Sequence, residues 1–240
     1  RAGKNVFVEK PLCLTEAELD EIIARRREIA AAEGTVPMVM VGFNRRFAPL
    51  AQKMKAGIGP RKAPGFGHYL VNAGAIPADH WTQDADAGGG RILGEACHFI
   101  DFLVFLTGSL ITTVTAIKQV PEGQDLEDNV AVSLGFADGS IGQVSYIAGG
   151  HKSFPKERCT WMGAGRVLEL DNFRRLTGHG APSGRSMRQD KGHQAEVAAF
   201  LDAAQRGGEA PIPWEQVENV TRASFAAVRS MRAGGEKISL

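Results

Sequence analysis

No glycine-rich phosphate cradle occurs in this chain. None of its 29 glycines falls in a G-x-G-x-x-G run, and Gly163-Ala164-Gly165 has Leu168 where the third glycine belongs. Cysteine is almost as scarce. Cys13, Cys97 and Cys159 are odd in number, far apart and outside any C-x-x-C, which excludes a disulfide framework or zinc knuckle and suits a reducing compartment. No apolar run approaches the ~20 residues of a helical membrane span, and the start shows no signal-peptide pattern. Charge of one sign is missing too: 28 basic against 27 acidic residues leave +1, neither a nucleic-acid footprint nor an acidic tail. Repeats and low-complexity tracts are absent, and His151, His179 and His193 have no metal-ligand spacing. The expectation is a soluble, cytoplasmic protein with no metal site and no nucleic-acid or membrane partner.

The segments that are present begin with Asn5 to Glu9, a short apolar run of the kind buried in parallel sheets. Thr15 then caps a helix with Glu16 and Glu18 in its first turn, and Gly34 stops it. Val36 to Val41 is a second strand, completing a βαβ unit. Arg25-Arg26-Arg27 lies within this helix and reads as a solvated face. Past Gly42 the character changes. A short helix at Arg46 to Ala56 and a strand at Gly67 to Ala73 precede the irregular stretch Gly74 to Gly90. A strongly apolar helix follows at Arg91 to Thr107. Strands at Ile111 to Val120, Asn129 to Phe136, Ile141 to Ala148, Arg158 to Met162 and Arg166 to Leu170 are joined by short turns such as Asp138-Gly139, which implies an antiparallel sheet. Asn172 to Asp190 reads as an exposed loop. Helices at His193 to Gln205 and Trp214 to Met231 and a strand at Lys237 to Leu240 close the chain. The fold class is α/β (α+β): residues 1–43 as the end of a doubly wound nucleotide-binding sheet, and residues 44–240 as an open, mostly antiparallel sheet with helices on one face.

Two groups stand where proton chemistry would need them. Lys10 ends the first strand, and strand carboxyl ends in open α/β sheets face the ligand crevice. An ammonium there polarises a carbonyl or stabilises an alkoxide; the competing reading is a surface lysine paired with Glu9. His98 sits on the helix that Gly88, Gly89 and Gly90 introduce, with Gly94 and Asp101 on its face and Arg91 and Glu95 at the margins. Glu95 or Asp101 would orient the imidazole; otherwise His98 is a satisfied core residue. Asn72, His80 and Trp81 resemble a hydroxyl-recognition surface, unless Trp81 is a hydrophobic plug. Asn44, Arg45 and Arg46 either contact a cofactor or cap the next helix.

Together, Val6-Phe7-Val8-Glu9-Lys10-Pro11-Leu12, Val41-Gly42-Phe43-Asn44-Arg45-Arg46-Phe47, Gly88-Gly89-Gly90 with His98 and Asp101, and Phe136-Ala137-Asp138-Gly139-Ser140 resemble the glucose–fructose oxidoreductase and inositol dehydrogenase family. Asn72 to Trp81 is most similar to two-part proteins with an upstream zinc-type alcohol dehydrogenase module. The resemblance implies hydride transfer between NAD or NADP and a sugar or cyclitol hydroxyl, a preceding nucleotide-binding region before Arg1, and a homo-oligomer formed through the open sheet. It implies Lys10 and His98 as catalytic residues, with Glu95 a third catalytic candidate from its place three residues before His98, and a cis Lys10–Pro11 peptide. Glu9, Lys10, Pro11, Asn44 and Arg45 become cofactor contacts, and Lys10, Asn72, His80, Trp81, Gly90, Arg91 and His98 substrate contacts. One departure matters: the family often has an Asp four residues before the histidine, where this chain has Gly94. Two other readings of the fold stand beside this one, a non-catalytic dimerisation module and a nicotinamide-assisted glycosidase.

Overall fold

A computed structural model describes residues 3–60, 63–77, 79–84, 87–119 and 127–240. The chain opens with β1 (Val6–Val8), α1 (Glu16–Glu33) and β2 (Val39–Val41), and β1 pairs in parallel with β2, Val6 opposite Val39. The helix begins where the sequence sets a capping box. Thr15 Oγ1 accepts from the Glu18 amide at 3.2 Å, and the Glu18 carboxylate accepts from the Thr15 amide at 3.0 Å. Gly34 ends it in the left-handed conformation, φ 71°. Leu19 and Ile23 bury the inner face against Cys13, Leu93 and Phe225.

A 3-10 turn at Asn44–Phe47 and α2 (Pro49–Ile58) lead into a sheet of nine strands among the described residues. These are β3 (Phe66–Asn72), β4 (Ile111–Lys118), β5 (Asn129–Phe136), β6 (Ile141–Ile147), β7 (Glu157–Gly163), β8 (Arg166–Asp171), β9 (Arg175–His179), β10 (Gly184–Arg185) and β11 (Ile238–Ser239). Their order is β10-β9-β8-β7-β3-β6-β5-β4-β11, antiparallel except between β3 and β6. The hairpin turns carry the residues their geometry demands. Ala164 and Gly165 both have positive φ between β7 and β8, the backbone of a type I′ turn.

Alternation decides which face is covered. Tyr69, Val71, Val144, Tyr146, Cys159 and Trp161 point inward, against α3 (Cys97–Thr107), α5 (Trp214–Arg232) and α2. Tyr69 packs between Phe99 and Phe102, with ring centres 4.7 and 5.2 Å away. Leu103 descends onto Gly67 and Gly142; a β-carbon at either would meet its methyl groups at 2.8 and 3.0 Å. Bare strand positions therefore set how closely α3 approaches the sheet. The opposite face is open.

Three expectations are corrected. The Arg91 to Thr107 helix is a π turn at Ile92–Ala96 followed by α3, so Gly94 lies outside a regular α register with His98. Asn172 to Asp190 is not simply a loop: β9 and β10 extend the sheet edge, with Leu176 buried. The arginine run is not uniformly solvated either, for Arg26 stacks on Trp214 at 4.1 Å and donates to the Pro37 carbonyl. α4 (His193–Arg206) lies against the Asn44–Phe47 turn. No described helix is long and apolar enough to cross a membrane, and no described group of three His, Cys, Asp or Glu suits a metal ion.

Candidate active site

β1 ends at Glu9-Lys10-Pro11, and the Lys10–Pro11 peptide is cis. Lys10 Nζ donates to the Gly94 carbonyl at 2.8 Å. Gly94 sits in the π turn, where carbonyls leave the regular i→i−4 ladder. A β-carbon at Gly94 would stand 2.8 Å from the Gly88 carbonyl. An Asp therefore cannot replace Gly94 here without displacing the triple-glycine backbone. Around the ammonium is a cavity of about 340 Å³, whose wall includes Trp81, Gly88, Gly90, Arg91 and Glu95.

Glu95 supplies this cavity with a carboxylate. It accepts from the Tyr146 hydroxyl in a short hydrogen bond and from Arg91 at 3.3 Å. Burial works to raise its pKa, but the Tyr146 bond and the Arg91 and Lys10 charges outweigh it and hold the group below its ordinary value. Arg91 is fully buried, lies over the Tyr146 ring at 5.1 Å and donates onward to the Gly74 carbonyl at 2.8 Å.

His98 does not line this cavity; it is 7% exposed, with its ring against Phe43 and Phe99. Its pKa is pushed well below the usual imidazole value, first by burial and then by Arg45, Lys10, His193 and Lys191. The ring is therefore neutral at pH 7 and able to accept a proton. Nδ1 is buried with no hydrogen-bond partner among the described residues. This corrects the expected relay, since neither Glu95 nor Asp101 orients the imidazole. Asp101, wholly buried, is gripped by Arg46, with Nε to Oδ2 at 3.0 Å and a second, short bond from the guanidinium to Oδ1.

The cations beside His98 are fixed by Glu157 at the start of β7. Arg45 meets this carboxylate through Nε at 2.7 Å and a terminal nitrogen at 3.0 Å, Lys191 at 2.6 Å and the Tyr69 hydroxyl at 2.7 Å. Burial alone would raise the Glu157 pKa, yet Arg45 and Lys191 bring it to about 2. Asn44 joins the array, donating to the Lys191 carbonyl at 2.8 Å and lying 3.2 Å from His193 Nε2. Neither Asn44 nor Arg45 caps a helix by its side chain.

The expected residues thus divide. Lys10, Gly90, Arg91, Glu95 and Trp81 share one cavity, and the Lys10 charge reaches His98. Trp81 is 61% exposed and so is no buried plug. His80 is turned to its neighbour Thr82 and does not line the cavity, and Asn72 lines a different one. Glu9 packs its carboxylate on Gly42, where a β-carbon would approach Oε2 to 3.2 Å.

Sequence reasoning passed over Tyr146, Glu157, Lys191 and Glu196. Tyr146 and Glu157 look like ordinary strand residues, and only the sheet register reveals what they face. Glu196, in the first turn of α4, is 3% exposed and its Oε2 has no hydrogen-bond partner among the described residues. Burial and the nearby Glu9 and Asp101 raise its pKa to about 7 against the pull of Arg45. The folded chain then keeps a proton that the unfolded chain releases above its ordinary pKa of 4.5. Stability accordingly falls as pH rises from 4.5 to 7 and levels off above. Glu196→Gln should gain about 1–3 kcal/mol at pH 8 and little at pH 4. Urea unfolding at both pH values checks this, and an equal effect at each would refute it.

Residues 66–163, which run from β3 through β7, match the GFO/IDH/MocA C-terminal domain. It is 25% identical over 182 residues to myo-inositol 2-dehydrogenase of Thermotoga maritima, covering 74% of this chain and 52% of that protein. Inositol 2-dehydrogenase 2 of Saccharopolyspora erythraea is 37% identical over 123 residues, 48% of this chain and 32% of that one. The chain therefore spans about half or less of these relatives. A solved levoglucosan dehydrogenase, in complex with NADH and levoglucosan, superimposes with TM-score 0.79 at 21% identity, over 99% of this chain and 74% of its own, a likeness of fold.

Proposed function

We propose that this chain is the substrate-binding and proton-handling part of a nicotinamide-dependent oxidoreductase that acts on a hydroxyl of a sugar or cyclitol. The observation that carries it is the Lys10 ammonium, anchored on Gly94 in a cavity walled by Glu95, Arg91 and Trp81, with its charge reaching a neutral His98. A polyol suits such a wall. Glu95 accepts from hydroxyls, Lys10 donates to them, and the exposed Trp81 face packs on ring C–H groups. The relatives named inositol dehydrogenases and the levoglucosan-bound fold neighbour support the same class.

In this reading His98 accepts the proton of the reacting hydroxyl while its carbon gives up hydride, and Lys10 stabilises the developing oxyanion. Nicotinamide, NAD or NADP, supplies the hydride acceptor. The unpartnered His98 Nδ1 and Glu196 Oε2 mark polar ground at the carboxyl ends of β1 and β2, and Glu9, Lys10, Pro11, Asn44 and Arg45 would hold the ring end of the cofactor there. Its phosphates would need a glycine cradle from a nucleotide-binding region beyond these residues. Lys10→Met and His98→Ala, made in the polypeptide that includes that region, should each lower kcat/KM for polyol oxidation about a hundredfold. Reduced-nicotinamide absorbance follows the rate. Full activity in either variant would sink the proposal.

The open sheet face supports self-association in the same protein. Phe66, Ile141 and Met162 are 38, 54 and 48% exposed and lie directly opposite one another across β3, β6 and β7. Such a row of apolar side chains is the kind that subunits bury together. Phe66→Asp with Met162→Glu should turn an oligomer into monomers in sedimentation velocity; an unchanged mass excludes this face.

A further inference from the structure

We propose that the substrate is a nucleoside diphosphate sugar, whose charged portion occupies a second cavity adjoining the one around Lys10. The inference rests on the reading above only in placing the sugar ring beside Lys10. This second cavity, about 500 Å³, is lined by Asn72 and Gly74 from the end of β3, by Asn172, and by the 150–156 segment that follows β6. One hydrogen bond joins the two walls, because Arg91 of the Lys10 cavity donates to the Gly74 carbonyl of its neighbour. A ligand filling both would be a sugar joined to something larger.

The lining shows what that larger part is. Lys152 and Lys156 contribute two ammonium groups, the described lining has no carboxylate, and neither lysine pairs with one among the described residues. Two unneutralised lysines at one concavity raise the local concentration of anions and donate to phosphoryl oxygens. Phe154, 42% exposed, stands in the same wall with Arg158 behind it at 5.8 Å, an aromatic face on which a base can stack. Asn72 fastens this wall: its Nδ2 donates to the His151 and Phe154 carbonyls at 2.9 and 3.3 Å, and its Oδ1 is buried against Gly150. Cations and aromatic face together match diphosphate and base.

The test is calorimetric titration of the chain with uridine 5′-diphosphate, inorganic pyrophosphate and glucose, which requires neither cofactor nor turnover. UDP should bind more tightly than pyrophosphate, and glucose should give no comparable signal. Lys152→Ala with Lys156→Ala should weaken UDP about tenfold, and Phe154→Ala about fivefold. Circular dichroism of these surface variants should match that of the parent. Lys10→Met should leave UDP affinity within about twofold, so a failed oxidoreductase reading would appear in turnover alone and not here. Absence of UDP binding overturns the inference, as does indifference to the lysine pair. Pyrophosphate binding as tight as UDP with Phe154→Ala silent overturns it as well.

Discussion

Glu157→Gln should lower the unfolding free energy by about 3–5 kcal/mol, the range expected when one partner of a buried ion pair is removed. The reason is what remains. Glu157 is 1% exposed and receives four hydrogen bonds from Tyr69, Arg45 and Lys191. An uncharged amide keeps the shape but leaves two cations without their counter-charge, and it cannot accept from all of these donors at once. The four bonds also tie β3, β7, the turn after β2 and the segment before α4 to one point. Urea unfolding measures the loss. Adding Arg45→Gln to Glu157→Gln should recover part of it, because the stranded charge is then removed. A double variant weaker by the sum of the two singles would show that the carboxylate acts through packing rather than charge. At acid pH the parent should lose the same stabilisation. With the folded pKa held at about 2, the contribution is complete above the ordinary value of 4.5 and fades as pH falls toward 2.

Much of this architecture can be read from local pattern. Thr15, Glu18 and Gly34 bracket α1 where their cap chemistry places it, and alternation locates β5 at its observed ends, Asn129 and Phe136. The glycine triplet and Lys10 declare a cleft because both are local devices, a bare backbone and a strand end. What stays hidden is whatever depends on register between distant strands. Tyr146 reaches Glu95 across 51 residues and Tyr69 reaches Glu157 across 88, and neither separation leaves a periodic trace. The π turn is hidden for a related reason. It is fixed by how Gly94 clears the Gly88 carbonyl and meets Lys10, contacts that no single segment contains. Consequently α-helical spacing offers the Glu95 and Asp101 carboxylates to His98, while the fold gives them to Arg46, Tyr146 and Arg91. The edge strands β9 and β10 are short and rich in polar residues, so composition alone reads them as loop.

Replacing Gly192 by alanine should cost about 2–5 kcal/mol, although the change adds one methyl group. Gly192 starts α4 with φ 88°, a conformation costing an L-residue about 1–2 kcal/mol. The added carbon would also strike backbone, meeting the Ala48 nitrogen at 2.6 Å and the Phe47 carbonyl carbon at 2.7 Å, besides the Asn44 carbonyl oxygen. Backbone cannot swing aside as a flexible side chain does, so the overpacking cost of about 1–3 kcal/mol adds to the strain. Gly207 at the other end of the same helix is the control. Its φ is 65° but nothing lies within 4 Å of its absent β-carbon, so Gly207→Ala should cost only about 1 kcal/mol. The two ends should differ in consequence as well as in size. Relieving the clash at Gly192 means parting α4 from the Asn44–Phe47 turn, which moves Asn44 off His193 and loosens the hold of Arg45 and Lys191 beside His98. The His98 pKa should then rise toward its ordinary value in the Gly192 variant and stay depressed in the Gly207 variant, as followed by the imidazole proton resonances. Equal stability losses at the two ends would mean that strain alone governs both, and that the turn after β2 is not held in place by α4.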